Sequence, residues 1–193
     1  MSTLERQKLF EAIGFFTSAT KHCGLVKLFK LLYYLDMLHF RETGRPVTGL
    51  GYKALPYGPV PTDLYDEVKR PTADFSAHLL IQSPPGETTD EPARTIITPK
   101  KALGTKHLTK RELRIASEIA EIFEEVNAKQ ISDISHARNG PWDNAKKRGA
   151  GKWSIPIDYF DSVNISFGTG EAASLEELRE RASEYAEARD HFA

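Results

Sequence analysis

Two polar side chains in a strongly apolar stretch, Asp36 and His39, have the spacing of an acid–base pair. They lie three residues apart in LVKLFKLLYYLDMLHF, and side chains at that spacing share one face of a helix. Such a pair could transfer protons or bind a metal, but no third ligand follows at a suitable spacing. The structural alternative is that both side chains satisfy buried backbone or tyrosine groups, as buried polar groups generally must.

A second pair, Ser135 and His136, has the residue types of a hydrolase. Adjacent residues on a helix point in different directions, and the sequence has neither a nucleophile-elbow pattern nor an identifiable acid partner. A structural hydrogen bond is therefore the favoured interpretation. Trp142, which follows Pro141, is interpreted as a plug over a helix end, although an indole is also a common interface anchor.

The segment YGPVP, residues 57–61, places two prolines and a glycine between a predicted strand and a predicted helix. Pro59 and Pro61 fix φ, and Gly58 allows the chain to pass close to a neighbouring backbone. We predict a pre-organised corner that either locks the strand onto a helix or presents a rigid edge to a partner at little entropic cost. In the second case Tyr57 is the expected contact residue.

Two stretches are locally basic although the chain as a whole is not. Between residues 99 and 115 six basic side chains stand against Glu112, and between residues 136 and 153 five stand against Asp143. They are solvated surface, or they bind an acidic protein surface or nucleic acid. No helix-turn-helix, zinc-finger or aromatic RNA-binding motif accompanies them, which disfavours nucleic acid.

Hydrophobic periodicity predicts a mostly helical chain around one central helix. Residues 3–19 fit an amphipathic helix, and residues 25–43 fit a second helix that is apolar on most of its circumference. Gly44 and Pro46 end it. Four residues at steps of three and four predict one solvent-exposed edge on this helix: Lys27, Lys30, Tyr34 and Arg41.

A small antiparallel β element is predicted beside these helices. Residues 47–55 read as a strand, and residues 74–82 and 93–99 read as a hairpin closed by the loop SPPGETTDEP. Residues 153–160 read as an extended segment. Further helices are predicted at three places: residues 61–70, residues 109–126 after the capping box of Thr109 and Glu112, and residues 132–138.

The last part of the chain is predicted to be a linker, residues 161–173, followed by an amphipathic helix, residues 174–193. Ser174 and Glu177 form a second capping box at its start. A narrow apolar stripe either docks on the chain's own domain or is offered to a partner, and it consists of Leu175, Leu178, Ala182, Tyr185 and Phe192.

Composition excludes several classes of protein. The chain has 193 residues, 40% of them hydrophobic, and its 26 basic and 27 acidic side chains nearly cancel. The single cysteine, Cys23, excludes an intramolecular disulfide and fits a reducing cytoplasm. We expect no signal peptide and no membrane insertion. The absence of a phosphate loop, dinucleotide fingerprint or metalloprotease motif predicts no cofactor, no metal and no enzymatic activity.

The stretch GLVKLFKLLYYLDMLHFRETGRPVTGLGYKALPYGPVPTDLYDEV resembles the Panacea domain, the SocA-like antitoxin family that also includes phage-associated proteins of the GepA type. The resemblance covers roughly residues 5–160, and ISHARNGPWDNA supports it through Ser135, His136, Pro141 and Trp142. The earlier matching residues are Leu28, Lys30, Leu31, Tyr33, Gly44, Pro46, Gly49, Tyr52, Ala54, Tyr57, Gly58, Pro59, Val60, Pro61, Leu64 and Tyr65.

The resemblance implies an antitoxin that binds and neutralises a cognate protein toxin encoded by a neighbouring gene, and it implies no enzymatic activity. Two alternatives stay open: an adaptor that delivers the toxin to an ATP-dependent protease, and a phage or mobile-element regulator that binds nucleic acid. Association into a homo-oligomer is a further open alternative.

We therefore predict an α+β fold: a mostly α-helical single domain, residues 1–160, with a small antiparallel β element and a C-terminal helix. The expected partner-binding residues are Tyr57, Gly58, Pro59, Val60, Pro61, Trp142, Lys146, Lys147, Arg148 and Tyr185.

Overall fold

The computed structural model describes residues 3–83 and 94–191, with the side chains of the last helix described up to residue 188. Apart from residue 83, the predicted loop at residues 83–92 lies outside the described residues. Phe192, the last residue of the predicted apolar stripe, also lies outside them.

The architecture is α+β, as predicted, with helices predominating. The helices are α1 (Thr3–Ala19), α2 (Leu25–Thr43), α3 (Thr62–Lys69), α4 (Ala73–His78), α5 (Lys110–Ile122), α6 (Ala128–Ser135), α7 (Pro141–Arg148) and α8 (Leu175–His191), with a 3-10 helix at Tyr159–Asn164 before α8. The strands are β1 (Tyr52–Leu55), β2 (Gly58–Pro61), β3 (Leu79–Gln82), β4 (Ile96–Pro99) and β5 (Ile155–Pro156).

Helix α2 is the centre of the molecule. It contacts α1, α5, α6, α8, strand β2 and the 3-10 helix, and its leucines are fully buried at Leu28, Leu31, Leu32 and Leu35. A helix enclosed on all sides must be apolar around most of its circumference, which is the pattern its sequence has. Gly44 ends it in the left-handed conformation, with φ of +72°.

The predicted solvent-exposed edge of α2 is wrong, because all four of its residues are buried. The cations donate hydrogen bonds to main-chain carbonyls of the segments that surround the helix. Lys27 Nζ donates to Lys21 O at 2.6 Å and Lys30 Nζ donates to Pro59 O at 3.0 Å, while Arg41 Nη1 donates to Ile165 O at 2.7 Å. Lys30 and Arg41 therefore attach segments that are distant in sequence to α2, and Lys27 does the same through a second bond, to Glu124 O at 3.0 Å.

The predicted corner at residues 57–61 is a β-hairpin instead. Strand β1 pairs antiparallel with β2, in register Tyr52 with Pro61 and Leu55 with Gly58, and on its other side with β5. The order β2-β1-β5 makes β2 an edge strand, where proline is tolerated because one side of the strand has no ladder to complete. Its prolines suggested a corner, whereas they are part of the sheet.

The hairpin predicted for residues 74–82 and 93–99 is present, since β3 pairs antiparallel with β4. Only the second half of the predicted strand at residues 74–82 is extended, because α4 occupies the first half. Thr72 caps that short helix by accepting a hydrogen bond from Phe75 N at 3.2 Å.

Helix α5 has the predicted capping box of Thr109 and Glu112 but ends at Ile122, before the predicted residue 126. Helix α7 was not predicted from the sequence. The sequence signal for this helix is Pro141, which occupies the first helical position, where a missing N–H costs nothing.

The segment that follows the 3-10 helix lies against α2 and continues into α8. Arg41 donates to Ile165 O and to Phe167 O, and Ala173 N donates back to Arg41 O at 3.0 Å. Leu178 of α8 is fully buried, and Tyr185 hydrogen-bonds to Glu5, whereas Leu175 is 50% exposed. The described part of the apolar stripe therefore docks on the chain's own body through Leu178 and Tyr185. The division into a domain, a linker and a terminal helix stays a prediction.

Candidate partner-binding site

The β1–β2 hairpin presents its turn, residues 56 and 57, to solvent. Tyr57 is 79% exposed, the largest exposed fraction among the large hydrophobic side chains described. The strands below it are fixed, since Ala54 pairs with Pro59 on one side and with Ile155 on the other. An exposed tyrosine therefore projects from a rigid support.

Gly58 lets the hairpin approach α2 and α6 closely. Its φ is +102°, and a Cβ at this position would lie 2.7 Å from Lys30 Cε and 2.7 Å from Ser135 Oγ. Any other residue would strain the backbone and displace a neighbour. Gly58 does allow a close approach, but to the side chains of Lys30 and Ser135 and not to a neighbouring backbone as predicted.

Lys30 lies directly beneath the hairpin. It is 1% exposed, and its ammonium donates to Pro59 O. No carboxylate forms an ion pair with it within residues 3–83 and 94–191. Burial lowers the pKa of Lys30 to about 8, because removal from water disfavours the charged form.

Ser135 and His136 do not bond to each other in the way a hydrolase pair would. Ser135 Oγ donates to Ser132 O at 2.7 Å, a structural hydrogen bond, whereas the buried His136 Nε2 has no hydrogen-bond partner among the described residues. The His136 ring stacks on Trp142, with centroids 3.9 Å apart and planes at 24°. Burial first, and then the charge of Lys30, lower the pKa of His136.

Trp142 joins α7 to the hairpin. Its Nε1 donates to Leu55 O at 3.0 Å, at the end of β1 next to the turn. Its side chain is 6% exposed, as expected of a plug, whereas Trp153 beside it is 42% exposed. No function was assigned to Trp153 from the sequence. A tryptophan in a glycine- and lysine-rich segment is nevertheless a sequence signal for an interface residue.

The basic residues of α7 differ in their partners. Lys147 pairs with Asp143 at 2.7 Å, and Arg148 pairs with Asp161 at 2.7 Å. Lys146 Nζ instead lies 5.1 Å from the ring centroid of Trp142 and 4.9 Å from that of Trp153.

The structure brings together nine of the ten residues predicted to bind a partner. Tyr185 is the exception, because it lies on α8 and hydrogen-bonds to the Glu5 carboxylate of α1. The other nine belong to the hairpin and to α7, which meet at the Trp142 bond. We name the accessible part of this region the hairpin face, and its residues are Tyr57, Val60, Lys146, Lys147 and Arg148. The other four predicted residues, Gly58, Pro59, Pro61 and Trp142, are buried.

The acid–base pair of α2 is structural, as the second interpretation held. Asp36 Oδ1 accepts from Val47 N at 2.8 Å and from Thr48 N at 2.7 Å, and Oδ2 accepts from Thr48 Oγ1 and Tyr52 Oη. His39 Nδ1 donates to Arg45 O at 2.6 Å. Burial raises the pKa of Asp36 to about 6. Within the described part of the chain, no group of three potential ligands could hold a metal ion.

These observations define an α+β domain whose motif residues, far apart in sequence, meet beside one buried central helix. The chain belongs to the SocA-like antitoxin family: the family model for the antitoxin SocA-like, Panacea domain matches residues 28–143. The resemblance inferred from the sequence is thereby confirmed, and the family indicates an antitoxin role with a protein partner.

Neither the search of curated proteins nor that of solved structures found a match. No helix among the described residues is both long and apolar enough to cross a membrane.

Proposed function

We propose that the protein is an antitoxin that neutralises a protein toxin, encoded by a neighbouring gene, by binding it directly through the hairpin face. The observation that carries this proposal is the exposure of Tyr57 on a fixed hairpin. A tyrosine supplies a large contact area at low entropic cost, and such residues are frequent binding hot spots.

The support of the hairpin favours recognition without rearrangement. Three kinds of contact fix the residues on both sides of the turn. They are the pairing of the two strands, the Lys30 bond to Pro59 O and the Trp142 bond to Leu55 O. A pre-organised loop loses little conformational freedom on binding, so more of the contact energy remains as affinity.

The test is co-expression. The neighbouring reading frame is induced alone, with this protein, and with the Tyr57→Ala variant, and growth and co-purification are scored. We expect toxicity alone, rescue with a co-purifying complex, and loss of both with Tyr57→Ala. Leu80→Ala is the matched control, because Leu80 is an apolar residue 42% exposed on the other hairpin.

Two outcomes contradict direct neutralisation. In the first, no neighbouring frame is toxic, or rescue occurs without a complex. In the second, rescue disappears in cells that lack an ATP-dependent protease, which identifies an adaptor that delivers the toxin for degradation.

A further inference from the structure

The two tryptophans of the chain lie side by side around one lysine. The rings of Trp142 and Trp153 have centroids 6.3 Å apart, and the Lys146 ammonium lies about equally far from both, at 5.1 and 4.9 Å. We name Trp142, Lys146 and Trp153 the tryptophan shelf. An ammonium at this distance from two indoles interacts favourably with both, so its position is restrained before a partner arrives.

Lys146 forms no close ion pair among the described residues, and its longer-range charge interaction is with Asp143, which Lys147 binds directly. The neighbouring Lys147 and Arg148 are paired with Asp143 and Asp161, whereas Lys146 has no carboxylate within ion-pair distance in the described ranges. The shelf therefore combines an ammonium that has no carboxylate within ion-pair distance with the half-exposed apolar surface of Trp153.

We propose that the tryptophan shelf binds an acidic segment of the partner protein, with an aspartate or glutamate side chain against Lys146 and an adjacent apolar side chain against Trp153. This inference rests on the proposed function for the identity of the partner. Charge complementarity supports it, since Lys146 is partly exposed and a carboxylate forms a strong charge-assisted hydrogen bond with an ammonium.

A nucleic-acid partner fits the same surface less well. Binding to a phosphate backbone requires several cations that can neutralise successive phosphates. On α7 two of the three cations are already paired, and the carboxylates of Asp143 and Asp161 lie beside them. One or two free cations suffice for a carboxylate but not for a polyanionic strand.

The two shelf indoles allow a direct test, because they are the chain's only tryptophans. The full chain is titrated with hexaglutamate while tryptophan fluorescence is recorded, with hexaglutamine and hexalysine as control peptides. We expect a saturable change with hexaglutamate alone. Lys146→Gln should weaken that binding about fivefold or more, as expected for the loss of one charged contact.

The matched control is Lys129→Gln on α6, because Lys129 is a highly exposed lysine paired with Asp133. This variant should bind hexaglutamate like the unchanged protein. Trp153→Phe should keep binding and leave Trp142 as the single reporter, and isothermal titration verifies the affinities of all variants without relying on fluorescence.

The proposal is overturned if hexaglutamate gives no saturable change, or if Lys146→Gln binds it as tightly as the unchanged protein. Tighter, Lys146-dependent binding of oligothymidylate would assign the shelf to nucleic acid instead. If hexaglutamate binds but the protein does not rescue cells in co-expression, the binding role of the shelf stands and the antitoxin function is contradicted. If the protein rescues cells but does not bind hexaglutamate, only the binding role of the shelf is contradicted.

Discussion

At the scale of single residues, the main polar feature of the core is a carboxylate that organises a turn. Asp36 accepts four hydrogen bonds from residues 47, 48 and 52, and it is fully buried. Removing an acceptor from buried donors costs their full desolvation penalty. The carboxylate therefore fixes the chain between α2 and β1, and hence the start of the hairpin.

Replacing this carboxylate should be costly. We expect Asp36→Ala to lower the free energy of unfolding by about 3–5 kcal/mol, because both amides and both hydroxyls lose their acceptor. Asp36→Asn keeps one oxygen and should cost less. Urea unfolding measures both, with Asp66→Ala, whose side chain is 75% exposed, as the control. A loss in Asp36→Ala no larger than that of the control would contradict this account.

The same residue predicts a pH dependence. Burial raises the pKa of Asp36 from 3.8 to about 6, so the folded state binds the proton of the Asp36 carboxyl more tightly than the unfolded state does. This proton binding contributes to the free energy of unfolding. The contribution is fully present below pH about 4 and is lost as the pH rises to about 6.

Comparison with Asp36→Asn, which does not titrate at this position, isolates the effect. Between pH about 4 and 6 the unfolding free energy of the unchanged protein should fall relative to the variant by up to about 3 kcal/mol. Urea unfolding at closely spaced pH values measures the difference. A difference that stays constant, or that moves in favour of the unchanged protein as pH rises, excludes a raised pKa.

At the scale of elements, local signals in the sequence predicted what is locally determined. The capping box of Thr109 and Glu112 and the glycine end of α2 at Gly44 depend on neighbours within a few residues, and both are present. Such contacts can be read from spacing alone.

Long-range contacts could not be predicted in this way. The carbonyl that accepts from Lys30 lies 29 residues away, and that for Arg41 lies 124 residues away. Hydrophobic periodicity shows only that these cations lie outside the leucine face of α2. It therefore predicted that they contact solvent, whereas in the fold they contact main-chain carbonyls. The position of β2 at the sheet edge, which makes Pro59 and Pro61 acceptable in a strand, is likewise a property of the tertiary fold.

The hairpin itself should depend on the absence of a side chain at Gly58. Alanine there would have φ of +102° and a Cβ 2.7 Å from Lys30 and Ser135, so we expect Gly58→Ala to destabilise the fold by about 2–4 kcal/mol. Gly51→Ala is the matched control, because nothing lies within 4 Å of its added Cβ. Thermal unfolding compares them, and equal effects would argue against the close approach.

At the scale of the whole molecule, the hairpin face and α8 contact different ends of α2. The hairpin rests on Lys30, near the start of the helix, whereas α8 packs on Gly44 at its end, through Arg181 and Leu178. Fourteen residues of α-helix separate these points by about 20 Å. This separation distinguishes the part of the chain proposed to bind the toxin from the part that stabilises the end of α2.

The separation predicts that removal of α8 weakens folding more than it weakens recognition. A chain ending before Ser174 loses the burial of Leu178 and the ion pair of Arg45 with Glu184, so we expect its melting temperature to fall by about 5–10 °C. At a growth temperature below that midpoint, the truncated chain should still rescue cells from the toxin and co-purify with it.

Two full-length variants are the controls. Leu178→Ala loosens α8 without removing it, and Tyr57→Ala should lose rescue while its melting temperature stays unchanged. Loss of the complex by a truncated chain that circular dichroism shows to be folded would place α8 in the recognition surface and leave the hairpin face with at most a share of it.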